Sequence, residues 1–134
     1  MDSIVSLLLS VALAGIIGIE REVTHKPAGL RTHMLVSLGS CLFTLMSPIF
    51  GGQPAQIAGG VVAGIGFIGA GEIWADKDHI RGITTAASLW AVAAIGLACG
   101  AGEYLIATVA AILAFIILTS KFLLERVGIE QKSF

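Results

Sequence analysis

Charge is what this chain has least of. Of its 134 residues, 13% are Asp, Glu, Lys or Arg, against about a quarter in ordinary soluble domains. A soluble chain this short exposes much of its surface and needs charge to cover it. The deficit, with 56% hydrophobic residues and a mean hydropathy of +0.93, points away from water and toward lipid. Cysteine is also scarce: Cys41 and Cys99 lie inside apolar runs, with no metal-site or disulfide spacing, and read as small buried residues. Missing too is any dense Lys/Arg run, and with a net charge of −1 no nucleic-acid partner is expected. No nucleophile, base and orienting group occur together, and no Ser sits in a nucleophile elbow, so no enzyme is expected.

What is present is long uncharged sequence. Residues 3–19, 34–71, 82–102 and 104–120 carry no charged side chain. A spanning helix takes about 20 mostly apolar residues, and the 34–71 run divides at Ser47-Pro48-Ile-Phe-Gly51-Gly52-Gln53-Pro54. The expected fold is therefore an all-α membrane protein, one domain over 1–134, with spans near 3–20, 33–50, 55–74, 83–100 and 103–124. Residues 3–20 do not read as a signal peptide, because no basic region precedes them and Glu20-Arg21-Glu22 follows. Five spans put all eight basic residues (Arg21, Lys26, Arg31, Lys77, Arg81, Lys121, Arg126, Lys132) on one side. The positive-inside rule then places the N-terminus outside and the C-terminus in the cytoplasm.

The third span contains VVAGIGFIGAGE (Val61–Glu72), in which Gly64, Gly66 and Gly69 match G-x-G-x-x-G. A dinucleotide turn also needs a following amphipathic helix and an acidic residue about 20 positions on, where this chain has neither. Helical spacing accounts for the glycines better. Gly59, Ala63, Gly66 and Ala70 share one face, flanked by Gly60, Gly64 and Gly71, with Ile57, Val61, Ile65 and Ile68 opposite. Small faces let helices approach closely in lipid, so Gly59, Gly60, Gly64, Gly66, Gly69 and Gly71 are expected to pack against neighbouring helices. Gly96 and Gly100 in the fourth span, and Ser6, Ser10, Ala14 and Gly18 in the first, are expected to do the same. The fifth span has the weakest small face and is expected to be the most lipid-exposed. Several small faces on so short a chain suggest a homo-oligomer, most simply an isologous dimer.

Polar residues gather at the ends of the spans. Glu20, Arg21, Arg31, His33, Glu72, Arg81, Thr84 and Thr85 form a candidate functional layer, read as ion pairs of Glu20 or Glu72 with Arg31 or Arg81. A hydroxyl of Thr84 or Thr85 is available to cap the fourth span. His33, Ser37, Ser40, Thr44 and Ser47 form a polar stripe, either interhelical hydrogen bonds or the wall of a hydrated path. Asp76, Asp78 and His79 offer a loop for a hard cation, though no ligand cluster supports Mg²⁺ and no cofactor is expected.

Four blocks carry a resemblance: AGIIGIER (Ala14–Arg21), KPAGLRTHMLVSLGS (Lys26–Ser40), GIGFIGAG (Gly64–Gly71) and RGITTAASLWAVAAIGLACGAG (Arg81–Gly102). In this order and spacing the chain resembles the MgtC/SapB family of bacterial inner-membrane proteins. The resemblance implies a multi-pass protein linked to adaptation to low magnesium and, in some pathogens, to virulence. It further implies regulation of another membrane protein, such as the ATP synthase or a transporter; the alternative is a carrier or channel for Mg²⁺ or another cation. Glu20, Arg21, Gly29, Leu30, Arg31, Thr32, Gly66, Gly69, Gly71, Arg81, Gly82, Thr85 and Trp90 match the family's motifs. Glu72 stands where an apolar residue is usual, and Thr84 where some members have Asn. Longer members carry a soluble C-terminal domain, and this chain reads as a short member lacking it.

Overall fold

A computed structural model describes residues 2–76 and 79–126, with the side chains of 76, 79 and 122–126 left undescribed. Five helices run in chain order: α1 Asp2–Val23, α2 Leu30–Met46, α3 Pro54–Glu72, α4 Ile83–Gly100 and α5 Tyr104–Arg126. A short antiparallel hairpin, β1 Trp74–Asp76 and β2 His79–Arg81, joins α3 to α4 with Trp74 opposite Arg81. Helices α1, α3, α4 and the 104–121 part of α5 are each long and apolar enough to cross a membrane. The protein is thus an all-α membrane protein. Helix α2 is the short member at 17 residues, or about 25 Å of rise against a hydrocarbon core of about 30 Å.

Local chemistry sets the helix ends. Past α1, His25 takes the left-handed conformation at φ 53°, the Lys26 N–H donates to the Arg21 carbonyl and the His25 N–H to that of Glu22, both at 3.0 Å. This Schellman turn satisfies the last carbonyls and reverses the chain. The Glu22 carboxylate then accepts the Leu30 N–H at 2.9 Å, giving α2 a capped start at Leu30 rather than near residue 33. The other end moves in the same direction: α2 stops at Met46, before the turn at Pro48–Gly51, not at 50. Ahead of α4, Gly82 is the N-cap, at φ 89° and with no side-chain cap, so neither Thr84 nor Thr85 plays the capping part expected of it. A Cβ on Gly82 would run into the Glu72 carbonyl, because the hairpin folds back onto the end of α3.

Helix α4 is the hub, packed against all four other helices. The core between α1, α2, α4 and α5 contains Leu13, Ala14, Ile17, Cys41, Val92, Ile95, Cys99, Ala107 and Ala111. Glycines set the closest approaches. A Cβ on Gly96 would collide with the Ser37 carbonyl oxygen of α2, and one on Gly100 would lie 2.6 Å from Thr44 Cβ and 2.7 Å from the Cys41 oxygen. On α1, a Cβ at Gly18 would lie 2.8 Å from Leu30 Cα and 3.2 Å from His33 Cβ.

Helix α3 faces the opposite way from the sequence expectation. Ile65 is buried with Leu89 and Ala93, Val61 packs beside them, and Gly69 meets Ala86 at ordinary contact distance. Gly59, Gly60, Gly64, Gly66 and Gly71 have no atom of the chain within 4 Å of where a Cβ would stand. Val61, Ile65 and Gly69 point inward, while Ile68 and the other five glycines are exposed. Lipid tolerates both kinds of surface, so composition did not dictate the facing. Between α2 and α3 an apolar groove of about 610 Å³ remains, lined in part by Val36, Phe43, Gly60, Gly64 and Ile68. Helix α5, expected to be the most exposed, shares that position with α3: 11% of each is buried, against 44% of α4.

Candidate polar site at the α1–α2–α4 junction

The candidate residues divide into a buried group and an exposed one. Glu20 and Arg21, near the end of α1, are both buried and form an ion pair with each other through Arg21 Nε and Glu20 Oε2. Arg31, Arg81 and Thr84 are exposed, and Glu72 is half-buried. This corrects the expected pairing, in which Glu20 or Glu72 met Arg31 or Arg81. Arg31 lies on the outer side of the first turn of α2 and Arg81 on the hairpin, so neither reaches the interior where Glu20 sits. The layer is a buried pair from one helix, with exposed cations around it.

His33 is the centre of the buried group, with none of its surface exposed. Its Nδ1 lies 2.8 Å from the Gly29 carbonyl, and since that oxygen only accepts, Nδ1 carries a proton. Its Nε2 lies 2.9 Å from Ser88 Oγ on α4. The Ser88 hydroxyl in turn reaches the Thr85 carbonyl at 2.8 Å. The absence of a side chain at Gly18 lets α1 close over the ring. Ser88, also buried, was missed in the sequence because a lone serine in an Ala-rich helix reads as one more small residue. Its position three residues after Thr85, on the same face, was the available signal.

The rest of the α2 stripe turns back on its own helix. Ser40 donates to Val36 O at 2.9 Å and Thr44 to Ser40 O at 2.8 Å, while Ser47 bonds to the turn at Gly52 O, 3.3 Å away. Gly96 and Gly100 of α4 press against this face. Among the described residues, two buried side-chain polar atoms have no hydrogen-bond partner, Ser37 Oγ and Glu20 Oε1. Among the described residues, no cluster of three or more His, Cys, Asp or Glu is arranged to hold a metal ion. Asp78 and the side chains of Asp76 and His79 lie outside the described residues, so the cation loop suggested for them has no geometry here.

Comparison with known proteins fits this arrangement into a family. The MgtC family model matches residues 7–127. "Putative magnesium transporter YhiD" of Escherichia coli (strain K12) is 40% identical over 127 residues, covering 87% of this chain and 59% of the relative. "Protein MgtC" of Brucella abortus (strain 2308) is 44% identical over 113 residues, with coverage of 83% and 47%. "Protein MgtC" of Salmonella typhimurium (strain LT2) is 43% identical over 123 residues, with coverage of 91% and 52%. The chain spans about half the length of these relatives. No solved structure matches it. With a family match over nearly all of its length and relatives above 40% identity on the same helices, the chain belongs to the MgtC family.

Proposed function

We propose that this chain is a non-enzymatic, multi-pass protein of the bacterial inner membrane that serves adaptation to low magnesium by regulating other membrane proteins. Its N-terminus lies outside and its C-terminus in the cytoplasm, the orientation that puts every Lys and Arg on the cytoplasmic side. The observation that favours regulation over ion movement is the α2 stripe. Its hydroxyls at Ser40 and Thr44 are spent on backbone carbonyls, and α4 glycines close over them, so the stripe is sealed against a neighbouring helix. A conducting path needs polar groups that face water. The competing reading, Mg²⁺ transport, is favoured by the printed name of the Escherichia coli relative. Purified chain in sealed vesicles is expected to give Mg²⁺ flux equal to protein-free vesicles. Flux above that background that disappears in Glu20→Gln or Glu72→Gln would establish transport instead.

The proposal includes self-association as a dimer through α3. Its outward face of Gly59, Ala63, Gly66 and Ala70 is exposed, and such faces let helix backbones meet in lipid. Replacing Gly66 by Ile is expected to convert a crosslinkable dimer in lipid into monomer while leaving the fold of the chain intact. Monomer in the wild type, or a dimer indifferent to Gly66→Ile, would remove this interface.

A further inference from the structure

Hydrogen counting around His33 leads beyond the family reading. Ser88 has one hydroxyl proton. If it goes to the Thr85 carbonyl at 2.8 Å, Ser88 Oγ must accept from His33 Nε2, and the ring then carries a proton on both nitrogens. If the ring is neutral, Nε2 is a lone pair and the Ser88 hydroxyl must swing to it, releasing the Thr85 carbonyl. Both arrangements leave every atom of the His33–Ser88 pair satisfied. No heavy atom has to move between them. A fully buried histidine can here gain or lose a proton without orphaning a partner, so the charged form bears the cost of desolvation with no unmade bond added to it.

The surrounding charges supply the second observation. Glu20 Oε1 is buried and has no partner, although its other oxygen is paired with Arg21. Glu20 and Arg21 are buried at the same end of the bundle as His33, and Glu72 is half-buried there. Two carboxylates and one guanidinium sum to −1, and one imidazolium brings the group to zero. The positive end of α2 opposes that charge, but the Glu22 carboxylate already caps it at Leu30. The start of α4 opposes it as well, and the residues there that connect to the ring, Ser88 directly and Thr85 through it, carry no charge. Arg31, two residues away on α2, is exposed on the outer side.

We propose that His33 is a buried proton-binding site built by α1, α2 and α4, with Ser88 as the hydroxyl rotor and Glu20 as the counter-charge. A proton from water binds Nε2 and forms its N–H bond; the Ser88 hydroxyl turns from Nε2 to the Thr85 carbonyl and accepts the new N–H. No other covalent bond changes. The site gives the α1–α2–α4 junction a charge that follows the pH of the compartment its basic end faces, while its heavy-atom contacts are kept.

The test uses the full chain in lipid bilayers with His25→Gln and His79→Gln, which leaves His33 as the one histidine. Ring ¹⁵N spectra are recorded between about pH 5 and 8, the range in which histidine charge ordinarily changes. Nδ1 is expected to stay protonated throughout, while Nε2 passes from unprotonated to protonated as the pH falls. Nε2 held in one state over the whole range, or an unprotonated Nδ1, would overturn the site. At a pH where both forms are populated, Glu20→Gln is expected to lower the charged-to-neutral ratio several-fold, with the Nδ1 hydrogen-bonded signal retained as the check on folding. An unchanged ratio removes Glu20 as counter-charge and with it the proposal.

Discussion

Gly96→Val is expected to leave the chain without its native bundle. The Cβ alone would collide with the Ser37 carbonyl and lie 2.9 Å from Ser40 Cβ, before valine's two methyls are added, and the first of these contacts is backbone within a helix. A flexible side chain can yield; a helical carbonyl yields only if α2 and α4 separate. Overpacking a core commonly costs about 1–3 kcal/mol, and a backbone collision lies at or beyond the top of that range. Native domains hold about 5–15 kcal/mol in all, so the loss is a large fraction of the whole. The same displacement would uncover Ser40 and Cys41 and pull Ser88 away from His33. Gly96→Ala already introduces the colliding carbon and is expected to cost about 2–3 kcal/mol. Gly64→Ala is the matched control: nothing lies within 4 Å of its Cβ position, and the better helix former is expected to be neutral or stabilising by up to about 1 kcal/mol. Unfolding of each variant in micelles that keep the chain monomeric measures both. Equal losses at the two positions would show that the α2–α4 contact is not the close one.

That contrast marks what the sequence could and could not disclose. The G-x-x-x-G of α4 and the small face of α1 were legible as packing surfaces, and Gly96, Gly100 and Gly18 do touch backbone or Cβ atoms of α2. The same argument applied to α3 put its glycines inward, where the structure has Val61 and Ile65. In water an apolar stripe must face the core, which makes facing readable from periodicity. In lipid the bulky and the small face are both soluble, and the choice rests on fit to one particular neighbour. Helix existence was legible for a stronger reason: a segment in hydrocarbon must satisfy its backbone internally, so a long uncharged run has few options besides helix. Boundaries were less so, because the start of α2 depends on a carboxylate eight residues upstream, Glu22, that reads as an ordinary surface charge.

The polar site was legible as a set of residues and not as a set of pairs. Glu20, Arg21, His33 and Thr85 were all singled out, and all four are buried at one end of the bundle. Successive residues on a helix diverge by about 100°, so helical spacing gives no sign that Glu20 and Arg21 pair with each other. Long side chains at a buried position override that rule, since each has fewer places to go. His33–Ser88 links positions 55 residues apart, and no local pattern connects them.

Arg21→Ala is expected to be the second severe variant, by a different mechanism from Gly96. It removes the partner of Glu20 and leaves a carboxylate whose side chain is 6% exposed. Breaking a buried pair from one side costs about 3–5 kcal/mol, mostly the penalty of the charge left behind. Glu20→Ala strands the guanidinium instead and belongs in the same range. The double variant Glu20→Ala/Arg21→Ala strands neither, so its cost is expected to fall well short of the sum, with a coupling of about 2 kcal/mol or more in a double-mutant cycle. Arg31→Ala and Arg81→Ala, at exposed positions, are expected to change stability by no more than about 0.5 kcal/mol. Denaturant unfolding in micelles compares all five. If Arg31→Ala or Arg81→Ala matched Arg21→Ala, the cross-helix pairs first expected from the sequence would be the ones that hold the bundle. If the double variant equalled the sum of the singles, Glu20 and Arg21 would be neighbours without being partners.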